Sequence, residues 1–271
     1  MEEQIISSLQ NARVKRLVQL QKKSSERRSQ GRFIVEGVRE ISHLLEAGYE
    51  VDTLFCCKDL TSSEEVSERL AEELKSRGLN VTREVYEKMA YRDSTEGIIA
   101  IVKERVFSLE NLPLGQEAFV VVLEAVEKPG NLGAILRSAD GAGADAVIIC
   151  DPLTDLRNPN LIRSSVGAAF SVPCMACTTD ECIAFLKKQG IQILTAQLQD
   201  SELYYATDMT RSTAIVMGTE ATGLSDSWRK AADRHIRIPM IGRIDSLNVS
   251  VSAAILMYEV VRQRSLQGPL T

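Results

Sequence analysis

Residues 118–150 read AFVVVLEAVEKPGNLGAILRSADGAGADAVIIC, and this stretch decides the fold class. The run 118–123 is uninterruptedly apolar and valine-rich, as in a strand buried on both faces. A polar loop with Lys128, Pro129 and Gly130 follows it. Residues 131–142 then bring apolar side chains back at helical spacing, and 146–149 are apolar again. Strand, helix and strand in that order make a βαβ unit, whose two strands run parallel. Gly141-Ala-Gly143-Ala-Asp-Ala146 matches G-x-G-x-x-A, but a helix precedes these glycines and a strand follows. A pyrophosphate-binding turn needs the reverse order, so Gly141 and Gly143 are assigned to a helix C-terminus. The chain has no G-x-x-x-x-G-K-[ST] and no G-x-S-x-G, which removes the common NTPase and hydrolase signatures.

The same alternation extends outward in both directions. Towards the C-terminus, helices are expected at 159–166, 180–188, 227–232 and from 248 to about 264. Strands are expected at 170–172, 192–196, 213–217 and 235–238. Towards the N-terminus, strands at 32–35, 51–56, 79–85 and 97–102 alternate with helices at 38–47 and 63–76. Pro113 and Gly115 interrupt the pattern. The expected organisation is a basic N-terminal arm (1–31), a small α/β domain (32–106), a linker (107–116) and a larger α/β domain with a mostly parallel sheet (117–271).

Composition sets outer bounds. The chain has 271 residues, 44% of them hydrophobic, and a formal net charge of −5. Its mean hydropathy is −0.07, the profile of an ordinary globular protein. No apolar run approaches the ~20 residues of a spanning helix, and the first residues lack the apolar core of a signal peptide. A cytoplasmic location and no membrane contact are expected. His43 and His235 are the only histidines, which disfavours imidazole-rich metal sites and mechanisms that need two imidazoles. The six cysteines read as reduced, buried thiols. Cys174 and Cys177 have metal-pair spacing but no second pair or nearby His, so no metal is expected.

Charge is unevenly placed. Over residues 11–39, nine cations (Arg13, Lys15, Arg16, Lys22, Lys23, Arg27, Arg28, Arg32 and Arg39) face only Glu26 and Glu36. That is a net +7, so the rest of the chain carries −12 of the total −5. Such a segment suits contact with a polyanion, or equally a solvated amphipathic helix, since Val14, Leu17, Val18 and Leu20 form an apolar stripe.

Three polar loops follow strands and look unlike plain scaffold. They are 127–138, with Asn131 and Arg137; 217–225, with Met217, Gly218, Glu220 and Gly223; and 238–250, with Ile238, Met240, Gly242, Ser246, Leu247 and Asn248. Taken singly, Asn131 also reads as a helix N-cap, Arg137 as a helix-face charge and Glu220 as a solvated loop acid. In open parallel sheets ligands bind beyond the carboxyl ends of strands, so three such loops can form one pocket. Their glycines permit close backbone approach, and Ser246 or Asn248 can cap the last helix.

In this order and at these separations, NLGAILRSAD, VMGTEATGLS and IPMIGRIDSLNVSVSAAILMYEVVRQR strongly resemble the three motifs of the SpoU/TrmH family of RNA ribose 2′-O-methyltransferases, members of the SPOUT superfamily. The segment NPNLIRSSVGA (158–168) is similar to the family's stretch between the first two motifs. RRSQGRFIVEGVR (27–39) is similar to the start of a ribosomal-protein-like, RNA-binding domain found in many members. The likeness spans roughly residues 27–265. It departs at Thr219, where Asn is usual, and at Glu96-Gly97, where Gln-Gly is.

The resemblance implies a C-terminal domain tied into a deep trefoil knot, a homodimer, and S-adenosylmethionine as cofactor. It implies adenine contacts from Met217, Gly218, Ile238, Met240 and Leu247, with Glu220, Gly223 and Ser246 completing the cofactor set. Arg137 matches the arginine that the family assigns to activation of the hydroxyl, and Asn131, Glu220, Ser246 and Asn248 match the remaining polar set. Ribosomal RNA is the favoured substrate, gripped by the nine basic residues above together with Arg157 and Arg163. A transfer-RNA substrate and a non-catalytic RNA-binding or ribosome-assembly factor are the alternatives.

Overall fold

The computed structural model describes residues 5–62, 66–91, 96–219 and 222–267. The chain divides into two compact units, Met1–Arg105 with Asp155–Ser171, and Val106–Thr154 with Val172–Thr271.

The first unit begins with α1 (Ala12–Lys22) and α2 (Ser24–Gln30). Asn11 caps α1 by accepting from the Arg13 N–H at 2.9 Å. Gly31 ends α2 at φ +57°, a left-handed C-terminal residue that glycine adopts without strain. There follow β1 (Arg32–Glu36), α3 (Val38–Glu46), β2 (Val51–Cys56), α4 (Glu68–Arg77), β3 (Gly78–Asn80), α5 (Arg83–Met89) and β4 (Ile98–Lys103). The sheet order is β1-β4-β2-β3, with β4 antiparallel to both its neighbours and β3 parallel to β2.

Period-two alternation sends Phe33, Val35, Ile98, Ala100 and Val102 to one core and Ile34, Ile99 and Ile101 to the other. The first core is closed by Ile41, Leu44 and Leu45 of α3, the second by Val14, Leu17 and Leu20 of α1. Leu17 and Leu20 are fully buried, each contributing about 1.5–3 kcal/mol. The basic segment is therefore a packed element of this unit rather than a free arm. The departure at Glu96 also has a local use: its carboxylate accepts from the Val38 N–H at the start of α3, where the helix dipole favours an anion.

In the second unit β5 (Phe119–Glu124) leads through α6 (Pro129–Gly141) to β6 (Ala146–Cys150). The chain then gives α7 (Pro159–Ser165) and α8 (Ala168–Ser171) to the first unit. It returns as β7 (Cys174–Cys177), α9 (Thr179–Lys188), β8 (Gln192–Ala196), β9 (Glu202–Leu203), β10 (Thr213–Met217), α10 (Asp226–Ala231), β11 (Arg234–Arg237) and α11 (Val249–Ser265). The order is β7-β6-β5-β10-β8-β11-β9, parallel throughout. The order reverses between β5 and β10, the position where such sheets open a crevice. Among the described residues no helix is long and apolar enough to cross a membrane.

Two expected strands are corrected. Residues 79–85 hold only the short β3, because Thr82 caps α5 by accepting from the Val85 N–H at 3.4 Å. Residues 170–172 are not a strand: Phe170 lies in α8, its ring 6.2 Å from that of Phe33 and 5.5 Å from that of Tyr49, and the strand starts at Cys174. The helix expected at 63–76 starts at Glu68 behind the cap Ser67, and Ser63 lies outside the described residues. β9 was not foreseen, two residues being too short to carry a periodic signal.

Candidate cofactor cavity and RNA-facing residues

Beyond the carboxyl ends of β8, β10 and β11 lies a cavity of about 360 Å³, within the range of small-molecule sites. Met217 and Gly218 follow from β10, Ile238 and Met240 from β11, and Ser246 and Leu247 precede α11. Together with Gly223 these residues, all expected from sequence, line one space. Glu220 lies outside the described residues.

The loop after β10 is folded back on itself. Gly223 N–H donates to the Thr219 carbonyl at 3.1 Å, and a Cβ on Gly218 would collide with the Gly223 backbone. The Thr219 hydroxyl accepts from the Thr222 N–H at 3.0 Å. This is a side-chain turn that Asn can also make, so the departure at Thr219 preserves the loop.

Asn248 is the N-cap of α11, its Oδ1 accepting from the Ser250 N–H at 3.0 Å and the Ser250 hydroxyl at 2.6 Å. Its Nδ2 donates to Asn131 Oδ1 at 3.2 Å, joining the first and third motifs. Asn131 itself is not a cap, because Lys128 occupies that position and Pro129 opens α6. Ser246 is exposed and donates to Asp245 Oδ1 at 3.2 Å. Arg137 is exposed on α6 and does not line the cavity, and no hydrogen bond or ion pair ties it to another described residue.

Sequence reasoning missed several contributors. Gln197, Leu198 and Arg229 line the cavity. Gln197 directly follows β8, the same strand-end position that marked the other loops, and this was the available signal. Gln197 Oε1 and Arg229 Nε are buried without a hydrogen-bond partner among the described residues. Glu124, the one acid in β5, is buried and accepts from the Ser225 N–H at 2.8 Å and the Thr179 hydroxyl at 3.2 Å. It thereby anchors the end of the 217–225 loop.

The basic residues divide by environment. Arg27, 5% exposed, donates to the carbonyls of Leu20 and Gln21 and is ion-paired with Asp155 at 2.7 Å. Arg157, 7% exposed, pairs with Glu104 at 3.1 Å and stacks over Phe33. Both expectations of RNA contact are corrected: these guanidiniums are consumed in holding the first unit together. Arg16 and Arg32 share Asp52 at 3.2 and 3.0 Å. Burial opposes the Asp52 carboxylate, but hydrogen bonds and charge from the two arginines outweigh it and leave the pKa lowered. Arg13, Lys15, Lys22, Lys23, Arg28, Arg39 and Arg163 are exposed.

The cysteines are free, and all except the half-buried Cys177 are buried. Cys177 closes β7, and its near neighbours are Cys150 and Cys182 rather than Cys174. Hydrogen bonds from Cys150 and then Cys182 hold its thiol below the ordinary range, against burial.

A seven-stranded parallel sheet with a cavity of this size beyond its strand ends, walled by glycine-bearing loops, defines an α/β enzyme of the cofactor-binding class. The chain belongs to the SpoU rRNA Methylase family, which matches residues 118–258. An MRM3-like substrate binding domain matches residues 11–100, so the basic segment falls within it. The chain is 30% identical to a 23S rRNA (uridine(2479)-2′-O)-methyltransferase of Streptomyces viridochromogenes, over 94% of this chain and 91% of that protein. Among solved structures, an RNA 2′-O ribose methyltransferase is 38% identical with a TM-score of 0.83, covering 97% of this chain and all of that one (100%). An S-adenosylmethionine-bound rRNA methyltransferase from Sinorhizobium meliloti is 28% identical with a TM-score of 0.86, covering 96% and 97%.

Proposed function

We propose that the protein transfers a methyl group from S-adenosylmethionine to a ribose 2′-hydroxyl of ribosomal RNA, acting as a cytoplasmic homodimer. The observation that carries this reading is one cavity walled by the second and third motifs, with the first motif tied to the third through Asn131 and Asn248. The cavity's chemistry fits the cofactor. Met217, Ile236, Ile238, Leu247 and Leu256 offer an apolar wall to a flat base, and Gln197 Oε1 and Arg229 Nε offer an acceptor and a cationic donor without a partner among the described residues. Bound there, S-adenosylmethionine supplies an already activated methyl sulfonium, and the transfer needs no metal.

The protein's task is alignment and management of the hydroxyl proton. Holding two reactants in line is worth about 7 kcal/mol or more where the geometry is tight. Arg137, exposed on α6, orients the ribose and the adjoining phosphate and stabilises the developing alkoxide. A guanidinium stays protonated at neutral pH, so this role is electrostatic. Asn131 and Asn248 brace the two motif loops against each other, and Ser246 and Glu220 complete the polar set. Exposed Lys and Arg on α1 and α2 and in the 158–168 segment supply a salt-dependent hold on phosphates.

Self-association is supported by apolar side chains left in water on the second unit. Ile241 is 99% and Ile244 66% exposed, and Val251 and Tyr258 lie seven residues apart on one side of α11. Calorimetric titration of S-adenosylmethionine into the purified protein tests the reading. One site per chain is expected, and absence of binding by protein that still binds ribosomal RNA would replace the enzyme with an RNA-binding factor.

A further inference from the structure

Cys150, Cys177 and Cys182 come from three elements and bring their sulfur atoms within 4.8 Å of one another. Cys150 closes β6 and Cys177 closes β7, and they are direct partners in the parallel register, so both side chains leave the same face of the sheet. Cys182 lies just past the first turn of α9 and shares a core with Cys150 on that face. Cys174, which the C-x-x-C spacing would have paired with Cys177, is three residues away on the same strand and so points to the opposite face.

We propose that this trio binds a thiophilic d10 cation, Cu+ or Zn2+, through three sulfur ligands. Metal–sulfur bonds of about 2.3 Å place three such ligands about 4 Å apart, a contraction of less than an ångström from the spacing present. Among the described residues the donor set is sulfur alone. Asp151 accepts from the Thr179 N–H and hydroxyl, and Glu181 is engaged with Thr178 in the capping box of α9, so neither nearby carboxylate is unengaged. His235 is on β11, far along the sheet order, with Nδ1 on the Thr195 hydroxyl. A site without oxygen or imidazole selects soft ions over Mg2+ or Ca2+.

Cys150 and Cys182 are fully buried, while Cys177 is half-buried and gives the ion its way in. No cysteine lines the cofactor cavity, so this site is separate from methyl transfer. β7 is the outermost strand of its sheet and has only four residues. An ion on the trio would pin that edge to β6 and to α9, stabilising the folded state by mass action.

The test is anaerobic titration of the reduced, chelator-stripped full-length protein with Cu+ in one arm and Zn2+ in the other, each against a competing chelator. One tight equivalent in at least one arm, accompanied by a higher Tm, is expected, and the arms distinguish the ions. Cys177→Ser should weaken binding more than about tenfold, and Cys174→Ser should bind as the wild type does. X-ray absorption at the metal edge of the wild-type complex should count three sulfur neighbours, a reading that does not depend on any variant folding. Failure of both ions to bind, fewer than three sulfurs, or equal weakening in Cys174→Ser and Cys177→Ser would overturn the proposal.

Discussion

Asn248 donates from Nδ2 to Oδ1 of Asn131 at 3.2 Å, across 117 positions of sequence, while its own Oδ1 caps α11. One side chain thus starts the last helix and ties it to the first motif. Asn131→Ala removes the tie and leaves the cap in place, whereas Asn248→Ala removes both, the cap being worth about 0.5–2 kcal/mol. Thermal unfolding should show the larger destabilisation for Asn248→Ala, and turnover by the double variant should fall by less than the product of the single effects. Independent, multiplicative effects would mean that the two residues do not act through each other.

Arg137 is exposed and makes no bond to another described residue, so shortening it costs the fold little. Arg137→Ala should bind S-adenosylmethionine as the wild type does and slow methyl transfer by roughly two to three orders of magnitude. Arg137→Lys should recover little, because a point charge does not reproduce the planar fork. Near-normal kcat in Arg137→Ala would move the reacting centre elsewhere.

The basic residues should separate into two kinds. Arg27→Ala leaves Asp155 without its partner and should destabilise the protein by about 3–5 kcal/mol, with the salt slope of RNA binding unchanged in protein that remains folded. Lys22→Ala and Arg28→Ala should leave Tm near wild type, weaken RNA binding, and reduce the salt slope by about one for each phosphate no longer neutralised. Salt slopes identical to wild type in the exposed variants would remove α1 and α2 from the RNA-binding surface.

The β/α order and the three loops were legible because buried parallel strands are short apolar runs and ligand loops concentrate Gly, Asn and Ser. β10 was read to the residue. What escaped were features that depend on distant partners. Nothing local distinguishes Arg27 and Arg157, which are buried, from Arg13 and Arg163, which are exposed, because Asp155 and Glu104 decide the matter from afar. The strand expected at 170–172 failed for the same reason, since Phe170 belongs to a core built by Phe33 and Tyr49. Gln197 was overlooked because the loop after β8 has none of the glycines that drew attention to the others.

The most direct test incubates the purified protein with unmodified ribosomal RNA and methyl-labelled S-adenosylmethionine, then hydrolyses the RNA in alkali. A 2′-O-methyl group blocks cleavage at its own phosphodiester, so label should emerge in an alkali-resistant dinucleotide and vanish with Arg137→Ala. Label released on mononucleotides, as base methylation would give, or no label at all, would contradict the account.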